Sequence, residues 1–155
     1  MDIAEVEEEF RSLVLDRFDE ADALRLGALL LAEAQAAALP VVIDIRTANR
    51  TLFHAALPGS APLNDIWARR KSATALLFHL PSLLVGLRNQ AKGEGLERHG
   101  LDAAGHSDSG GAVPIRVQGA GVVAVATVSG LPQVEDHRLV ARGLRALIAG
   151  KTKIA

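Results

Sequence analysis

The stretch PVVIDIRTANRTLFHAAL (residues 40–57) decides the fold, because it has the pattern of two strands joined by a tight turn. Aliphatic side chains alternate with other residues along positions 41–46, in the two-residue period of a β-strand. Ala48 and Asn49 suit a hairpin turn before the second strand. The stretch therefore predicts a β-hairpin at the heart of a sheet.

The register of this hairpin sets the expected environment of His54. If Arg46 pairs with Thr51, then Ile43 lies opposite His54, among aliphatic side chains on the more apolar face of the sheet. A histidine there could bind a metal or haem iron, or act as a general base. The alternative is a half-buried histidine satisfied by one hydrogen bond, which the lack of a partner ligand at suitable spacing favours.

A second hairpin, VPIRVQGAGVVAVATVSG (residues 113–130), contains a continuous apolar run typical of a central strand covered on both faces. Helices are expected around the two hairpins, at residues 3–15, 20–38, 63–78, 82–91 and 132–149. A strand at residues 83–87 is an alternative to the fourth helix. Hairpins separated by helices predict an α+β fold, one domain over residues 1–155, with a mainly antiparallel sheet of about five strands flanked by helices in α/β/α layers.

The composition narrows the class of protein. Hydrophobic residues make up 49% of the 155 residues, so part of the apolar surface is expected to face another subunit. A net charge of -1 argues against a nucleic-acid partner. The absence of cysteine excludes disulfides, thiolate nucleophiles and iron–sulfur clusters. An acidic start and the lack of a long apolar run argue against a secretory signal and a membrane span, which predicts a cytoplasmic protein.

Residues 92–112, KGEGLERHGLDAAGHSDSGGA, form a long glycine-rich stretch, which is usually functional or mobile in a compact domain. Its densest polar part runs from His106 to Gly111. Two glycines let the backbone approach a ligand closely, and hydroxyls with amides could hold an anion. The alternative is a tight solvent loop that leads into a strand.

The helix predicted after residue 62 carries a second candidate group. Trp67, Arg70 and Lys71 share one face, and together they could form the floor of a pocket for an anionic, planar ligand. The alternative is a subunit contact, because tryptophan and arginine often anchor interfaces. Asp136 and His137 near the last helix start are interpreted as helix-start charge, since adjacent helical residues do not face each other. The acidic run at residues 7–9 is interpreted as a solvated face.

Five segments carry a family resemblance: FDEADALRLG (18–27), FHAALPG (53–59), NDIWARRK (64–71), GGAVPI (110–115) and GVVAVATVSGLPQVEDH (121–137). Over roughly residues 10–145 the chain resembles an uncharacterised branch of the haem-degrading-like (GlcG/HbpS-type) superfamily. The resemblance implies a profilin-like fold and subunits assembled into dimers and larger rings. It also implies relatives that bind or degrade haem, or that act beside cobalamin and glycolate metabolism. Where this branch usually has a histidine before the glycine pair, the chain has Ser109, so no histidine role is carried to that position.

The sequence thus predicts a homo-oligomeric small-molecule-binding protein, with its pocket between residues 106–114 and the helix of Trp67, at a subunit boundary. Ser109 and the following amides would position an anionic group, and a basic residue of the helix would neutralise it. Haem is a weakly supported ligand, since only histidines or an unusual oxygen could bind its iron. The alternatives are a non-catalytic assembly protein and an unassigned enzyme. The candidate ligand-binding residues are His54, Trp67, Arg70, Lys71, His106, Ser109, Gly110 and Gly111, and no metal site is predicted.

Overall fold

The computed structural model describes the backbone of residues 1–154 and the side chains of residues 1–150. Its elements in chain order are α1 (Ile3–Ser12), β1 (Val14–Leu15), α2 (Glu20–Ala36), β2 (Val42–Arg46), β3 (Thr51–Ala56), α3 (Pro62–Phe78), α4 (Ser82–Lys92), β4 (Ala112–Val117), β5 (Gly121–Ser129) and α5 (Gln133–Ile154). A short 3₁₀ turn, Leu96–His99, lies in the glycine-rich stretch before β4.

The described strands form one five-stranded sheet in the order β1-β4-β5-β2-β3. Both predicted hairpins are present, and β2 pairs antiparallel with β5 to join them. The predicted α+β fold with about five strands between helices is confirmed. The sheet is mixed rather than wholly antiparallel, because β1 pairs in parallel with the end of β4.

The edge strand β1 was not predicted, since residues 14–15 fell within the first expected helix. The helix ends at Ser12, and the N–H of Leu13 donates to the carbonyl of Phe10 at 3.0 Å. The chain then extends, and Val14 lies beside Arg116 of β4. Two residues give too little periodicity for a strand to be recognised from the sequence.

The remaining helices follow the predicted boundaries within a few residues, apart from α5, which continues to Ile154. Residues 83–87 lie within α4, so the strand alternative for them is wrong. No helix among residues 1–154 combines the length and apolar character needed to cross a bilayer.

The two faces of the sheet differ sharply in chemistry. The face toward α2 and α5 holds the main aliphatic core, to which β2 contributes Ile43 and Ile45. The face toward α3 carries buried polar groups, such as Thr127, whose hydroxyl lies 2.7 Å from the hydroxyl of Ser72. Buried polar groups cost free energy unless they are paired, and the Ser72–Thr127 contact supplies such a pairing on this face.

The observed register of the first hairpin corrects the expected position of His54. Arg46 does pair with Thr51, but a β-bulge follows, and His54 lies opposite Asp44 instead of Ile43. One extra residue in a strand moves the following side chains to the other face of the sheet. His54 therefore lies among charged groups and not among aliphatic side chains.

Candidate functional site

The first turns of α3 meet the turn before β4 around a cavity of about 290 Å³, which we call the Lys71 cavity. Four of the residues predicted from the sequence, from two separate segments, lie in its wall. The lining residues are Asn64, Trp67, Lys71, Ser109, Gly110, Ser129, Gly130, Leu131, Gln133 and Asp136. The structure thus brings the two predicted segments together on one concave surface.

Lys71 is deeply buried, with a side chain that is 3% exposed. Its Nζ donates to the carbonyl oxygens of Gly110 at 3.0 Å and Val128 at 2.7 Å, and to Asp136 Oδ2 at 3.1 Å. Burial lowers the pKa of Lys71, and the carboxylate of Asp136 opposes that shift. The three contacts use all three N–H donors of the ammonium group, so Lys71 joins α3 to the turn before β4, to β5 and to α5.

Asp136 completes this buried pair from the start of α5. Its carboxylate also accepts hydrogen bonds from the backbone N–H of Leu131 at 3.0 Å and of Gly130 at 3.4 Å. Burial raises the pKa of Asp136, while Lys71 and these backbone donors oppose the shift. The interpretation of Asp136 as helix-start charge is incomplete, because its main partner comes from α3. Nothing local in the sequence marks this pairing across 65 residues.

The glycine pair, Gly110 and Gly111, lies close to the ammonium group of Lys71. Gly111 has φ of +136°, and a Cβ added to it would lie 2.4 Å from Lys71 Nζ and 2.5 Å from the carbonyl oxygen of Val128. The N–H of Gly110 donates to Gln133 Oε1 at 2.9 Å, so this amide is already engaged within the chain. The glycines therefore allow the close approach of Lys71, which no larger residue at position 111 would permit.

Trp67 forms an exposed part of the cavity wall, whereas Arg70 stacks on Trp67 and is not among the lining residues. The Arg70 guanidinium carbon lies 5.3 Å from the centroid of the Trp67 ring, within the range of a cation–π contact. Arg70 Nε also donates to the carbonyl of Ala104 at 2.9 Å, and the Arg70 carbonyl accepts from Ser107 N–H at 3.2 Å. These contacts fasten the glycine-rich stretch to α3. His106, which points its Nδ1 toward the carbonyl of Asp102 at 3.2 Å, is not among the residues that line the cavity.

Several side chains of the cavity have hydrogen-bond donors left for a ligand. Asn64 uses its Oδ1 to accept from the N–H of Ala61 at 2.8 Å, and Gln133 uses its Oε1 on Gly110, so both NH₂ groups are spare. Trp67 adds an indole N–H, which can only donate. The wall around the Lys71 pair therefore offers spare N–H donors, beside the hydroxyls of Ser109 and Ser129, which can donate or accept.

His54 lies outside the Lys71 cavity, in a separate charged cluster between β2, β3 and α3. Its Nδ1 is 2.8 Å from Asp44 Oδ2, and its Nε2 is 2.8 Å from Asp65 Oδ1. Asp44 is 1% exposed and accepts two hydrogen bonds from Arg46, whose pKa these bonds raise. Each ring nitrogen of His54 thus has a carboxylate oxygen within hydrogen-bond distance, which places the ring inside the charged cluster.

His137, next to Asp136 on α5, belongs to a third charged group. Its Nε2 is 2.6 Å from Glu9 Oε1, and Arg145 Nη1 is 2.9 Å from Glu9 Oε2. Burial raises the pKa of Glu9, but the hydrogen bonds from His137 and Arg145 outweigh it and leave the pKa lowered. Glu9 is thus not part of a solvated face, as the sequence had suggested, but fastens α1 to α5.

A larger, mostly apolar groove of about 760 Å³ lies elsewhere, between α2 and α5. Its wall is built from small and aliphatic side chains, with arginine and aspartate at the rim. The lining residues are Asp16, Arg17, Arg25, Ala28, Leu29, Ala32, Ala146, Leu147 and Gly150. None of the predicted site residues lies in it.

Comparisons with known proteins agree on one group of related proteins. Residues 18–145 match the family model described as "Haem degrading protein HbpS-like". A UPF0303 protein of Streptomyces coelicolor is 50% identical over 147 residues, which cover 94% of this chain and 93% of that protein. A UPF0303 protein of Burkholderia mallei is 44% identical, over 94% of this chain and 89% of its own length.

Among solved structures, the Ybr137w protein superposes with a TM-score of 0.87 at 30% identity, covering 96% of this chain and 88% of that one. HbpS (TM-score 0.68, covering 85% and 90%) and a PduOC:heme complex (TM-score 0.71, covering 84% and 94%) are each 21% identical, so they show a shared fold alone. The family model matches most of the chain, and the curated relatives align along nearly all of it. The chain therefore belongs to the HbpS-like family of haem-degrading proteins, as the matching family model is described.

Proposed function

We propose that this chain is a small-molecule-binding protein, and that its ligand is a small anionic metabolite held in the Lys71 cavity. The observation that carries the proposal is the buried Lys71–Asp136 pair beneath a cavity whose wall offers spare N–H donors. An ion pair of this kind is costly to bury and is often no more stabilising than apolar packing. Its presence beneath a concave, polar surface favours a binding role.

The hydrogen-bond inventory favours an anion that carries oxygen acceptors, such as a carboxylate. Spare N–H groups of Asn64 and Gln133 and the indole N–H of Trp67 can donate to its oxygens. The Lys71–Asp136 pair is neutral overall, and the donors of Lys71 are already used. Arg70 does not line the cavity but stacks on the lining residue Trp67, so we assign to it the neutralisation of a ligand that extends past the indole ring.

Haem, which the family name suggests, does not fit the residues of this chain. No residue that lines the Lys71 cavity or the α2–α5 groove, within the described part of the chain, is a histidine, tyrosine, cysteine or methionine. His54 is held by carboxylates at both ring nitrogens, and the Nε2 of His137 faces Glu9. Lys71 is committed to three acceptors. Neither of these two spaces therefore supplies a side chain that commonly binds haem iron.

A second candidate function is a non-catalytic assembly protein, favoured by apolar side chains on the outer face of α3. Leu63 is 58% exposed and Trp67 is 37% exposed, and both lie beside the mouth of the cavity. Large exposed apolar side chains often mark a protein interface. We propose a homo-oligomer in which this rim lies at a subunit boundary, so the two functions differ in whether a ligand binds there.

Titration with small carboxylates and with haem tests the proposal. Trp67 is the only tryptophan, so its fluorescence reports directly on the rim, and calorimetry gives an independent signal. We expect saturable binding of a carboxylate, weakened about tenfold or more in Arg70→Gln. Arg138→Gln is the matched control and should bind normally, because Arg138 is half-exposed on α5 and forms its surface ion pair with Glu135.

Two results would contradict the proposal. One is the absence of a saturable signal with every carboxylate, whether or not haem binds. The other is loss of the oligomer, without any ligand effect, when Trp67 and Arg70 are substituted, which would favour the assembly protein. An intact oligomer with lost binding supports the ligand site.

A further inference from the structure

A second polar cavity, of about 260 Å³, lies on the other side of the turn that bounds the Lys71 cavity, and we call it the Asp108 cavity. It lies between α4 and the end of the glycine-rich stretch. Its lining residues are Leu83, Gly86, Leu87, Asn89, Gln90, Glu94, Asp108, Ser109 and Gln133. Ser109 and Gln133 line both cavities, so the two spaces adjoin at these two residues.

The Asp108 cavity is acidic, whereas the charged residues that line the Lys71 cavity form a neutral pair. Asp108 and Glu94 place two carboxylates in its wall, and no lysine or arginine is among its lining residues. Asn89 Nδ2 donates to Asp108 Oδ2 at 2.9 Å, which leaves Asp108 Oδ1 as an acceptor. Glu94 is paired with Arg98 at 2.7 Å on the surface, so Asp108 is the stronger candidate to receive a cation.

Asp108 is held firmly in this position. A Cβ added to Gly86 of α4 would lie 2.2 Å from the Asp108 carbonyl oxygen, so the helix and the loop backbone are in close contact. Asn89, which orients the carboxylate, is itself nine-tenths buried. A carboxylate positioned by packing and by a buried amide has little orientational entropy to lose when it binds a ligand.

We propose that the ligand of this protein is zwitterionic, with a carboxylate in the Lys71 cavity and an ammonium group in the Asp108 cavity. The inference rests on the proposed function, and it names the ligand class for that same site. The N–H donors of the Lys71 cavity, on one side of Ser109 and Gln133, suit the carboxylate of an amino acid. The carboxylates of the Asp108 cavity, on the other side, suit its ammonium group. An ammonium group has three N–H donors for Asp108 and the neighbouring side-chain oxygens.

Calorimetric titration with ω-amino acids of increasing length, from glycine to 6-aminohexanoate, tests the inference. Each is compared with the carboxylate and the amine of the same chain length. We expect one length at which the amino acid binds about tenfold or more tighter than its matched carboxylate, since a charge-assisted hydrogen bond is added. Asp108→Asn keeps an oxygen for Asn89 but removes the charge, and should abolish this advantage while carboxylates bind as before. Glu135→Gln, an exposed acidic residue on α5, is the control.

The outcomes separate this inference from the proposed function. Carboxylates that bind as tightly as every amino acid, with no effect of Asp108→Asn, would overturn the zwitterionic ligand and leave the anion site standing. Amines or Mg²⁺ that bind alone at Asp108, without a benefit from the carboxylate, would also overturn it. If neither carboxylates nor amino acids bind, the proposed function itself fails.

Discussion

Replacing Lys71 with methionine should destabilise the protein far more than an ordinary surface change, because it leaves Asp136 as a buried carboxylate without its ion-pair partner. It also removes the donors that satisfy two backbone carbonyl oxygens. Breaking a buried pair from one side costs about 3–5 kcal/mol. We expect a loss of that size in the free energy of unfolding at neutral pH.

The double variant Lys71→Met/Asp136→Asn should recover part of this loss, since it removes the unpaired charge and keeps an oxygen for the N–H of Leu131. A coupling energy of about 2 kcal/mol between the two sites would be typical of directly interacting groups. Urea unfolding of both single variants and the double variant, followed by Trp67 fluorescence and by far-ultraviolet circular dichroism, gives the complete cycle.

The pH dependence supplies a second check on the same cycle. Burial raises the folded-state pKa of Asp136, and without Lys71 this shift must grow. A carboxyl group whose pKa is higher in the folded than in the unfolded state takes up protons on folding, so Lys71→Met should regain stability as the pH falls from 7 toward 5. The double variant should lack this gain. A loss below about 1 kcal/mol in Lys71→Met, or no coupling, would refute the buried pair as described.

Three further changes test the surrounding structure. Gly111→Ala should cost more than about 2 kcal/mol in urea unfolding, because its Cβ would overlap the ammonium nitrogen and its φ is positive; wild-type stability would contradict the close approach. Asp65→Asn should lose up to about 1 kcal/mol in urea unfolding from its half-exposed contact with His54; wild-type stability together with unchanged His54 ring shifts at a single neutral pH would contradict the contact. Glu9→Gln should destabilise at neutral pH, whereas the exposed Glu8→Gln should not. Because the folded-state pKa of Glu9 is lowered, its contribution is present above the ordinary value of 4.5 and lost as the pH falls through the folded value; a deficit that persists at pH 2 would contradict this.

Local patterns were enough to predict the architecture. Each of three patterns reflects which side chains of a single segment are buried: the two-residue period of the first hairpin, the apolar run of β5 and the helical spacing of α2. Each segment forms the element that its pattern predicted. The meeting of Trp67 and Lys71 with Ser109 and Gly110 was also predicted, from a basic face on one helix and a glycine pair before a strand. Whether these residues bind a ligand is still a prediction.

Long-range pairings account for what the sequence did not reveal. Asp136 meets Lys71 only because α5 and α3 approach the same end of the sheet, and helix-start acids look alike whether they are solvated or buried. A single bulge in β3 moved His54 to the charged face, and bulges leave no reliable mark in one sequence. His106 was grouped with the glycine pair by proximity in sequence, yet its side chain turns back toward Asp102.

The most direct test of the central claim is an NMR titration that follows the indole N–H signal of Trp67, which is unique in this chain. Small carboxylates and ω-amino acids are added to ¹⁵N-labelled protein, with the backbone amides of the α2–α5 groove observed at the same time. Ligand binding in the Lys71 cavity predicts a saturable shift of the indole signal that is weakened in Arg70→Gln, with the groove signals unchanged. An indole signal that does not move with any of these compounds, up to concentrations at which the groove amides shift, would contradict the assignment of the Lys71 cavity as the binding site.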